Sequence, residues 1–545
     1  MGNDGSQKGL MHLIIRVKLY VHSFNPYKEY EIKDLEVSEA CKNFTWLISN
    51  TNGAAHFENT KDAITLLRAY FNQVIESTPQ FCTYARVGWL KTPNGNVYLH
   101  GGGAIGSCSK TLSGDPELTI KIAPDVSNIN AAKVAFDLPY ISSDLSQTLP
   151  IFLYAHTGIL ARLFEEAGHK VRFLLFSEGQ TNSFKTVKAV LFANLFNRPT
   201  SQPHMSFAST KGGIEINANR YSDCVLIVDD LYPANTKAEQ NDLYAKLNIL
   251  ARIYGDGVAP QRMNKGYTMS KVNNPTGLCI ITGELIEGVA STLSRLLIIN
   301  STASCIDKGR LTYHQENSII ISTHYYHFIE WVTKNYESLV NFIHDRYSHY
   351  RVMLSTNGGF ARFTDTYISL IVTAEVLMKY AIDISLYTNS EVQDLLDMYS
   401  CILQKIVNFN IESIADKDPG IMFLRALQSM ISNGDIELLP TDDKTGKYSA
   451  KFRGFYDEKY YYLSLDNIFK SVIDFANGRN SCFPLSSTRQ LTVALDRIGA
   501  IETTEESQNG EPTLKRTLHR KLGTKNAIRY LVVKRDVMVK KLNPL

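Results

Sequence analysis

The chain of 545 residues carries a formal charge of +3, with 44% hydrophobic and 20% charged residues, which excludes a disordered or fibrous polymer and fits an ordinary globular protein. Eight cysteines stand far apart, at 41, 82, 108, 224, 279, 305, 401 and 482, without a C-x-x-C pair or a secretory start, so neither a disulfide framework nor a zinc knuckle is expected and the setting is expected to be reducing and cytoplasmic. The longest apolar stretch, Ile368 to Tyr380, contains Glu375 and falls short of the ~20 residues of a membrane helix, so no membrane partner is expected.

At this length two to four domains are expected. Residues 1–145 read as an N-terminal α+β region. It has a helical stretch at Thr60 to Glu76 and a hairpin unit, GWLKTPNGNVYLHGGG, with Asn94-Gly95 as its turn. The start MGNDGS matches a myristoylation pattern at Gly2 and Ser6, but nothing else points to an anchor. Gly101 to Gly103 has no lysine at phosphate-loop spacing after it and reads as a plain loop.

Residues 146–305 form the candidate catalytic core. A helical pattern from Leu149 ends at Gly168 and leads into an apolar strand, Val171 to Phe176. The next segment is GQTNSFKT, Gly179 to Thr186, which fits G-x-x-x-x-G-K-[ST] except at Phe184. In that pattern backbone N–H groups and a helix N-terminus cradle phosphates, the lysine reaches their outer oxygens, and the hydroxyl holds Mg²⁺. Lys185 and Thr186 supply both side-chain roles, while Phe184 stands where glycine normally permits φ > 0. The expected ATP-binding residues are therefore Gly179, Gln180, Thr181, Asn182, Ser183, Phe184, Lys185 and Thr186.

Short apolar runs then alternate with helical stretches to about residue 301, which predicts a parallel sheet with helices on both faces and ligand at the strand C-termini. CVLIVDDLYP ends a strand, Cys224 to Val228, in two acids. Asp229 would hold Mg²⁺ together with Thr186, and Asp230 would orient or deprotonate water; a buried strand capped by a polar turn is the plainer alternative. A loop bearing Arg262, Lys265 and Lys271 precedes LCIITGE, whose strand, Leu278 to Ile281, delivers Thr282 to the same sheet end as a γ-phosphate sensor. LSRLLIIN then places Arg295 before a strand, Leu296 to Asn300, where it would serve as a finger on a neighbour's nucleotide.

Residues 306–435 read as a helical lid or linker. Phe328, Trp331, Val332, Leu339, Phe342 and Ile343 recur at helical spacing, and His324 and His327 have no third metal ligand nearby. Arg362, at the head of a helix, suits either a second sensor or a salt bridge. Residues 436–545 carry helices at Leu465 to Asn477 and Ser487 to Ile498, a hairpin at Thr503 to Thr513 and a basic strand at Ala527 to Val533. That order suggests a winged helix, which docks either DNA or protein. Lys515 to Lys541 holds ten Lys/Arg against one acid, Asp536, a candidate nucleic-acid face or a solvated one.

Five stretches, the GWLKTPNGNVYL hairpin, GQTNSFKT, VDDLYP, TGELIEG and LSRLLII, occur in this order between about residues 80 and 301. In these the chain resembles the helicase-like AAA+ ATPases of phages, plasmids and chromosomal cassettes, once known only as a domain of unknown function. That family is similar to minichromosome-maintenance-like helicases, including staphylococcal cassette helicases. It commonly has a bulky residue before the loop lysine, as at Phe184, but many members have glycine at the position of Asn182 and ring ATPases usually have glutamate at that of Asp230. The resemblance implies an AAA+ P-loop NTPase core in a homo-hexameric ring with ATP and Mg²⁺ between subunits. Arg262, Lys265 and Lys271 would face single-stranded or forked DNA. The implied function is an ATP-dependent DNA helicase or replication initiator of a mobile element. The alternative is a nucleotide-binding adaptor or helicase-loading switch without motor activity, for which Phe184 and Asp230 speak.

Overall fold

The fold is that of a computed structural model, which describes residues 12–19, 28–36, 45–51, 60–74, 81–107, 111–233, 236–258, 275–284, 290–354, 361–415, 418–478, 483, 485, 487–508, 511–523 and 528–542. The N-terminal part is α+β. Strands β1 (His12–Leu19) and β2 (Lys28–Glu36) pair antiparallel, and helices α1 (Thr45–Asn50) and α2 (Thr60–Val74) follow. Next come β3 (Phe81–Thr83), β4 (Gly88–Thr92), β5 (Gly95–His100), β6 (Gly103–Ile105) and β7 (Thr111–Ser113), with β4, β5 and β6 forming a meander.

The β4–β5 hairpin forms, but its two-residue turn is Pro93-Asn94 rather than Asn94-Gly95. Gly95 instead pairs with Thr92 as the first residue of the return strand, at φ +122°. The proline fixes its own φ and so settles the turn one residue earlier. The hairpin is anchored to the core by Asp223, whose carboxylate accepts from Trp89 N–H at 2.9 Å and whose carbonyl accepts from Tyr98 OH at 2.9 Å. A Cβ on Gly88 would lie 2.5 Å from that carboxylate, so only glycine permits this approach.

Helices α3 (Asn128–Asp137) and α4 (Leu149–Glu166) lead into the central sheet. Pro150 sits in the first turn of α4, where no N–H is needed, and Gly168 at φ +84° lets the chain leave it. Tyr154 of α4 donates to Phe173 O at 2.8 Å and accepts from Cys279 N–H at 3.2 Å, tying the helix to two strands.

The sheet comprises β8 (Leu174–Glu178), β9 (Met205–Ser206), β10 (Val225–Leu231), β11 (Leu278–Gly283) and β12 (Leu296–Asn300). Its order is β12-β8-β11-β10-β9, and every pairing is parallel. Helices α5 (Lys185–Phe192), α6 (Lys211–Arg220), α7 (Lys237–Leu250), a π-helical turn (Ala251–Asp256) and the short α8 (Ala290–Leu293) connect the strands. Consecutive residues of β8, β10, β11 and β12 are buried, so both faces of the sheet are covered, as a parallel sheet requires.

The helical region has α9 (Lys308–Glu316), α10 (Ser318–Met353), α11 (Ala361–Asp383) and α12 (Asn389–Ala415). Glu375, the charge inside the longest apolar stretch, is satisfied by Arg346 Nε at 2.7 Å and Tyr350 OH at 2.8 Å. Asn410 of α12 donates to Ile298 O at 2.9 Å and accepts from Ile298 N–H at 2.8 Å, which closes the exposed edge of β12. His324 faces His156, Nε2 to Nε2 at 3.0 Å, in an aromatic core where burial pushes both imidazoles below their usual range. Among the described residues no group of three or more His, Cys, Asp or Glu is placed to hold a metal, and no helix is long and apolar enough to cross a membrane.

One hydrophobic core runs from Val87 to Ile414, and a second gathers Phe423 to Met538. The C-terminal part comprises α13 (Pro419–Ser432), β13 (Glu437–Pro440), β14 (Phe452–Tyr456), β15 (Tyr460–Leu463), α14 (Leu465–Gly478), α15 (Thr488–Arg497), β16 (Thr504–Gln508), β17 (Glu511–Lys515), β18 (Leu518–Arg520), β19 (Ile528–Lys534) and α16 (Arg535–Leu542), and the second core draws chiefly on α13, β15, α14, α15, β19 and α16. A mixed sheet β13-β14-β15-β19-β18 packs with the helices, while β16 and β17 form a separate hairpin. The basic tail is a strand followed by a helix, and part of its charge is engaged internally. Arg516 pairs with Asp496 at 2.8 Å, and the guanidinium of Arg535 lies 5.0 Å from the Tyr461 ring centroid.

Candidate functional site

The C-terminal ends of β8, β11 and β10 converge on the loop Gly179–Phe184. Because β11 lies between the other two strands, Thr282 pairs in register with Ser177 of β8 and sits beside the end of β10. Asp229 and Asp230 fall in a break of the β10–β11 register, between the pairs Val228–Ile281 and Leu231–Gly283. Three residues on β10 advance where two advance on β11, so the extra residue is a bulge, a device that re-aims side chains next to functional sites. Asp230 takes φ +68° there.

Gly179 is packed tightly: a Cβ would lie 2.3 Å from Ser301 O and 2.7 Å from Ser183 Oγ. Asn182 and Phe184 both adopt left-handed conformations, at φ +67° and +59°. Asparagine tolerates this well. Phenylalanine does so at about 1–2 kcal/mol, and its partly buried ring packs against the main core. Phe184 caps the N-terminus of α5, whose first N–H groups have no intrahelical partners and are suited to an anion.

Lys185 Nζ donates to Gly179 O at 2.6 Å and Gln180 O at 2.7 Å, so its ammonium lies over the loop. Burial lowers its pKa, while Glu284, Asp229 and Asp230 in that order pull the other way. Thr186 Oγ1 donates to Asp229 Oδ1 at 2.7 Å, and the Thr282 hydroxyl donates to the same oxygen. Asp230 is raised above the usual carboxylate range by burial first and then by the charges of Asp229 and Glu284. The donor set of Thr186 and Asp229 is hard oxygen, the chemistry Mg²⁺ selects.

Of the residues singled out in the sequence, Gly179, Gln180, Thr181, Asn182, Ser183, Phe184, Lys185, Thr186, Asp229, Asp230 and Thr282 are brought together. Arg295 is not among them. It precedes β12, and its carbonyl accepts from Leu174 N–H at 2.9 Å, so it belongs to the N-terminal edge of the sheet, opposite the phosphate loop. Its guanidinium is held bidentately by Asp256 at 2.9 and 3.0 Å, and Arg362 Nη2 reaches the same carboxylate at 3.3 Å. Gly255 makes room for this, since a Cβ there would lie 2.8 Å from Arg295 Cδ. Arg262, Lys265 and Lys271 lie outside the described residues.

Three groups escaped the sequence reading. Glu284 accepts a hydrogen bond from the Thr181 hydroxyl of the loop; it stood in the TGE run but drew no role. Asp256, which gathers two arginines, carries no local signal. Lys188 is fully buried and donates to Ser301 Oγ at 2.9 Å, which in turn meets Ser177 Oγ at 2.9 Å. A lone lysine in the apolar run VKAVLF was the available clue.

The domain family described as "Domain of unknown function (DUF927)" matches residues 50–248, a stretch that includes the hairpin, the phosphate loop and both aspartates and stops before Thr282. No curated protein matches the sequence. A solved structure, "SCCmec type IV Cch - active helicase", has a similar fold, with a TM-score of 0.59 at 13% identity over 97% of this chain and 92% of that one. At this identity the likeness is one of fold.

Proposed function

We propose that the chain is an ATP-dependent DNA helicase or replication-initiator ATPase of the AAA+ class, acting as a hexameric ring with nucleotide at subunit interfaces. The observation that carries this reading is the shared oxygen of Asp229, which accepts from Thr186 of the loop and from Thr282 of the neighbouring strand. These residues lie far apart in sequence, and a buried strand capped by a polar turn gives no reason for them to meet on one carboxylate oxygen beside a phosphate loop. The fold likeness to an active helicase and the likeness of the loop region to a domain family are consistent with it.

On this reading Gly179–Thr186 binds the phosphates of ATP, with Lys185 turning from the loop carbonyls to the β and γ oxygens. Thr186 and Asp229 would hold Mg²⁺, which would supply charge neutralisation at the phosphates. Thr282 reads the γ-phosphate from its position beside Asp229. Arg295, distant from its own loop along β12, serves a neighbouring subunit's nucleotide, with Asp256 holding it and Arg362 on the same carboxylate. Arg262, Lys265 and Lys271 contact DNA from the loop before β11, and residues 436–545 act as a winged helix. The runner-up, a nucleotide-holding adaptor without motor activity, is favoured by the two left-handed non-glycine residues of the loop and the short carboxylate of Asp230.

Purified protein is expected to hydrolyse ATP faster in the presence of single-stranded DNA. Lys185→Ala should lower turnover about a hundredfold or more, because it removes a cation aimed at developing charge. Equal turnover of wild type and Lys185→Ala would sink the hydrolase reading.

A further inference from the structure

The placement of β11 between β8 and β10 gives its last residues a position no strand-by-strand reading reveals. Gly179 N–H donates to Gly283 O at 3.1 Å, and Glu284 N–H donates to Leu231 O at 3.1 Å, so the backbone at Gly283-Glu284 is tied at once to the phosphate loop and to the aspartate strand. A Cβ on Gly283 would lie 2.4 Å from Leu231 O, so only glycine lets the strand ends approach this closely. The carboxylate of Glu284 then stands at the loop, where the Thr181 hydroxyl holds one of its oxygens. A carboxylate has acceptor capacity beyond that one bond.

The two aspartates are placed differently. Asp229 already accepts two hydroxyls on one oxygen and belongs to the Mg²⁺ donor set. Asp230 is one methylene shorter than the glutamate usual in ring ATPases and leaves the bulge at φ +68°. Thr181, which holds Glu284, directly follows Gln180, whose carbonyl accepts from the Lys185 ammonium at 2.7 Å. A carboxylate that close to the phosphate-binding lysine is close to the reacting phosphoryl group.

We propose that Glu284, oriented by Thr181, is the general base of the hydrolysis proposed above, a role the motif order alone would give to Asp230. The inference rests on that hydrolase reading. The attacking water forms a bond from its oxygen to the γ-phosphorus as its proton passes to the Glu284 carboxylate. The bond between that phosphorus and the β–γ bridging oxygen breaks, and ADP departs with its electron pair. The proton on Glu284 then passes to the released phosphate or to solvent. Asp230 keeps a lesser part, as a neighbouring carboxylate at the end of β10.

The test uses the full-length protein with saturating ATP and Mg²⁺, reading kcat, its pH profile and the affinity for a fluorescent ATP analogue. Glu284→Gln should lower kcat about a hundredfold, the usual scale of general-base catalysis, while analogue affinity stays within about threefold. Wild type should lose activity on the acid side with the titration of one carboxylate, and Glu284→Gln should lack that limb. Thr181→Val, which removes the hydrogen bond that orients the carboxylate, should lower kcat while analogue affinity stays within about threefold, a split that a merely structural contact would not produce. Asp230→Asn should cost about tenfold or less. Near-wild-type kcat in Glu284→Gln beside an inactive Lys185→Ala would overturn the base and leave the hydrolase standing. Loss of all turnover in Asp230→Asn with Glu284→Gln spared would return the role to Asp230, and a wild type that never hydrolyses ATP would remove both readings together.

Discussion

Asn182 and Phe184 show how the loop Gly179–Phe184 closes without glycine at either position. Both occupy left-handed backbone, and each meets the requirement in its own way. Asparagine is among the few residues for which φ > 0 is mild, and Phe184 offsets its strain through a ring packed on the main core. Position 182 therefore gives a sharp substitution pair. Asn182→Gly should leave ATP-analogue affinity unchanged, while Asn182→Val, β-branched at positive φ, should cost about 1–2 kcal/mol and weaken affinity about tenfold as the loop relaxes. Equal affinity in both variants would mean that the loop does not depend on this conformation. At this scale the sequence was most informative where chemistry and position coincide: Lys185, Thr186 and Asp229 stand where a linear pattern puts them. Asp256 was illegible because its importance lies in Arg295 and Arg362, which are distant in sequence and meet only in the fold.

At the scale of elements, strand order governs the site. β11 inserted between β8 and β10 is what lets Thr282 touch Asp229 and brings Glu284 to Thr181. Apolar runs predict strands well, but they do not state which strands are neighbours, and so Thr282 was legible as a strand-end polar residue while Glu284 was not. The hairpin turn shifted by one residue for a local reason, because Pro93 fixed the turn ahead of Asn94. The link between β12 and α5 offers a measurable consequence. Lys188 is buried, and desolvation lowers its pKa from 10.5 to about 8. The unfolded chain binds a proton there that the folded chain lacks between about pH 8 and 10.5, so this group makes stability rise with pH across that window. Lys188→Met should therefore be as stable as wild type or more so at pH 7, and its advantage should shrink by pH 10 by on the order of 2–3 kcal/mol. Urea unfolding of both proteins at the two pH values checks this, and an unchanged difference would show that Lys188 folds without a desolvation cost.

At the scale of the whole molecule, the two ends of the central sheet are given different work. Lys185, Thr186, Asp229 and Thr282 gather at the C-terminal ends of β8, β10 and β11, while Arg295 stands at the opposite edge, five strand residues away along β12. At ~3.3 Å per residue that is roughly 16 Å, too far for an arginine to reach its own loop. In the proposed ring a second copy supplies the arginine to this loop, a reading with which the separation is consistent. The most direct measurement is ATP-driven displacement of a labelled strand from a forked DNA by wild type mixed with rising shares of Arg295→Ala at constant total protein. Displacement by wild type that falls faster than dilution is the predicted result, because each inactive finger disables a neighbour's site as well as its own contribution. A linear decline would contradict the shared site, and no displacement at any ratio, with hydrolysis intact, would contradict the motor.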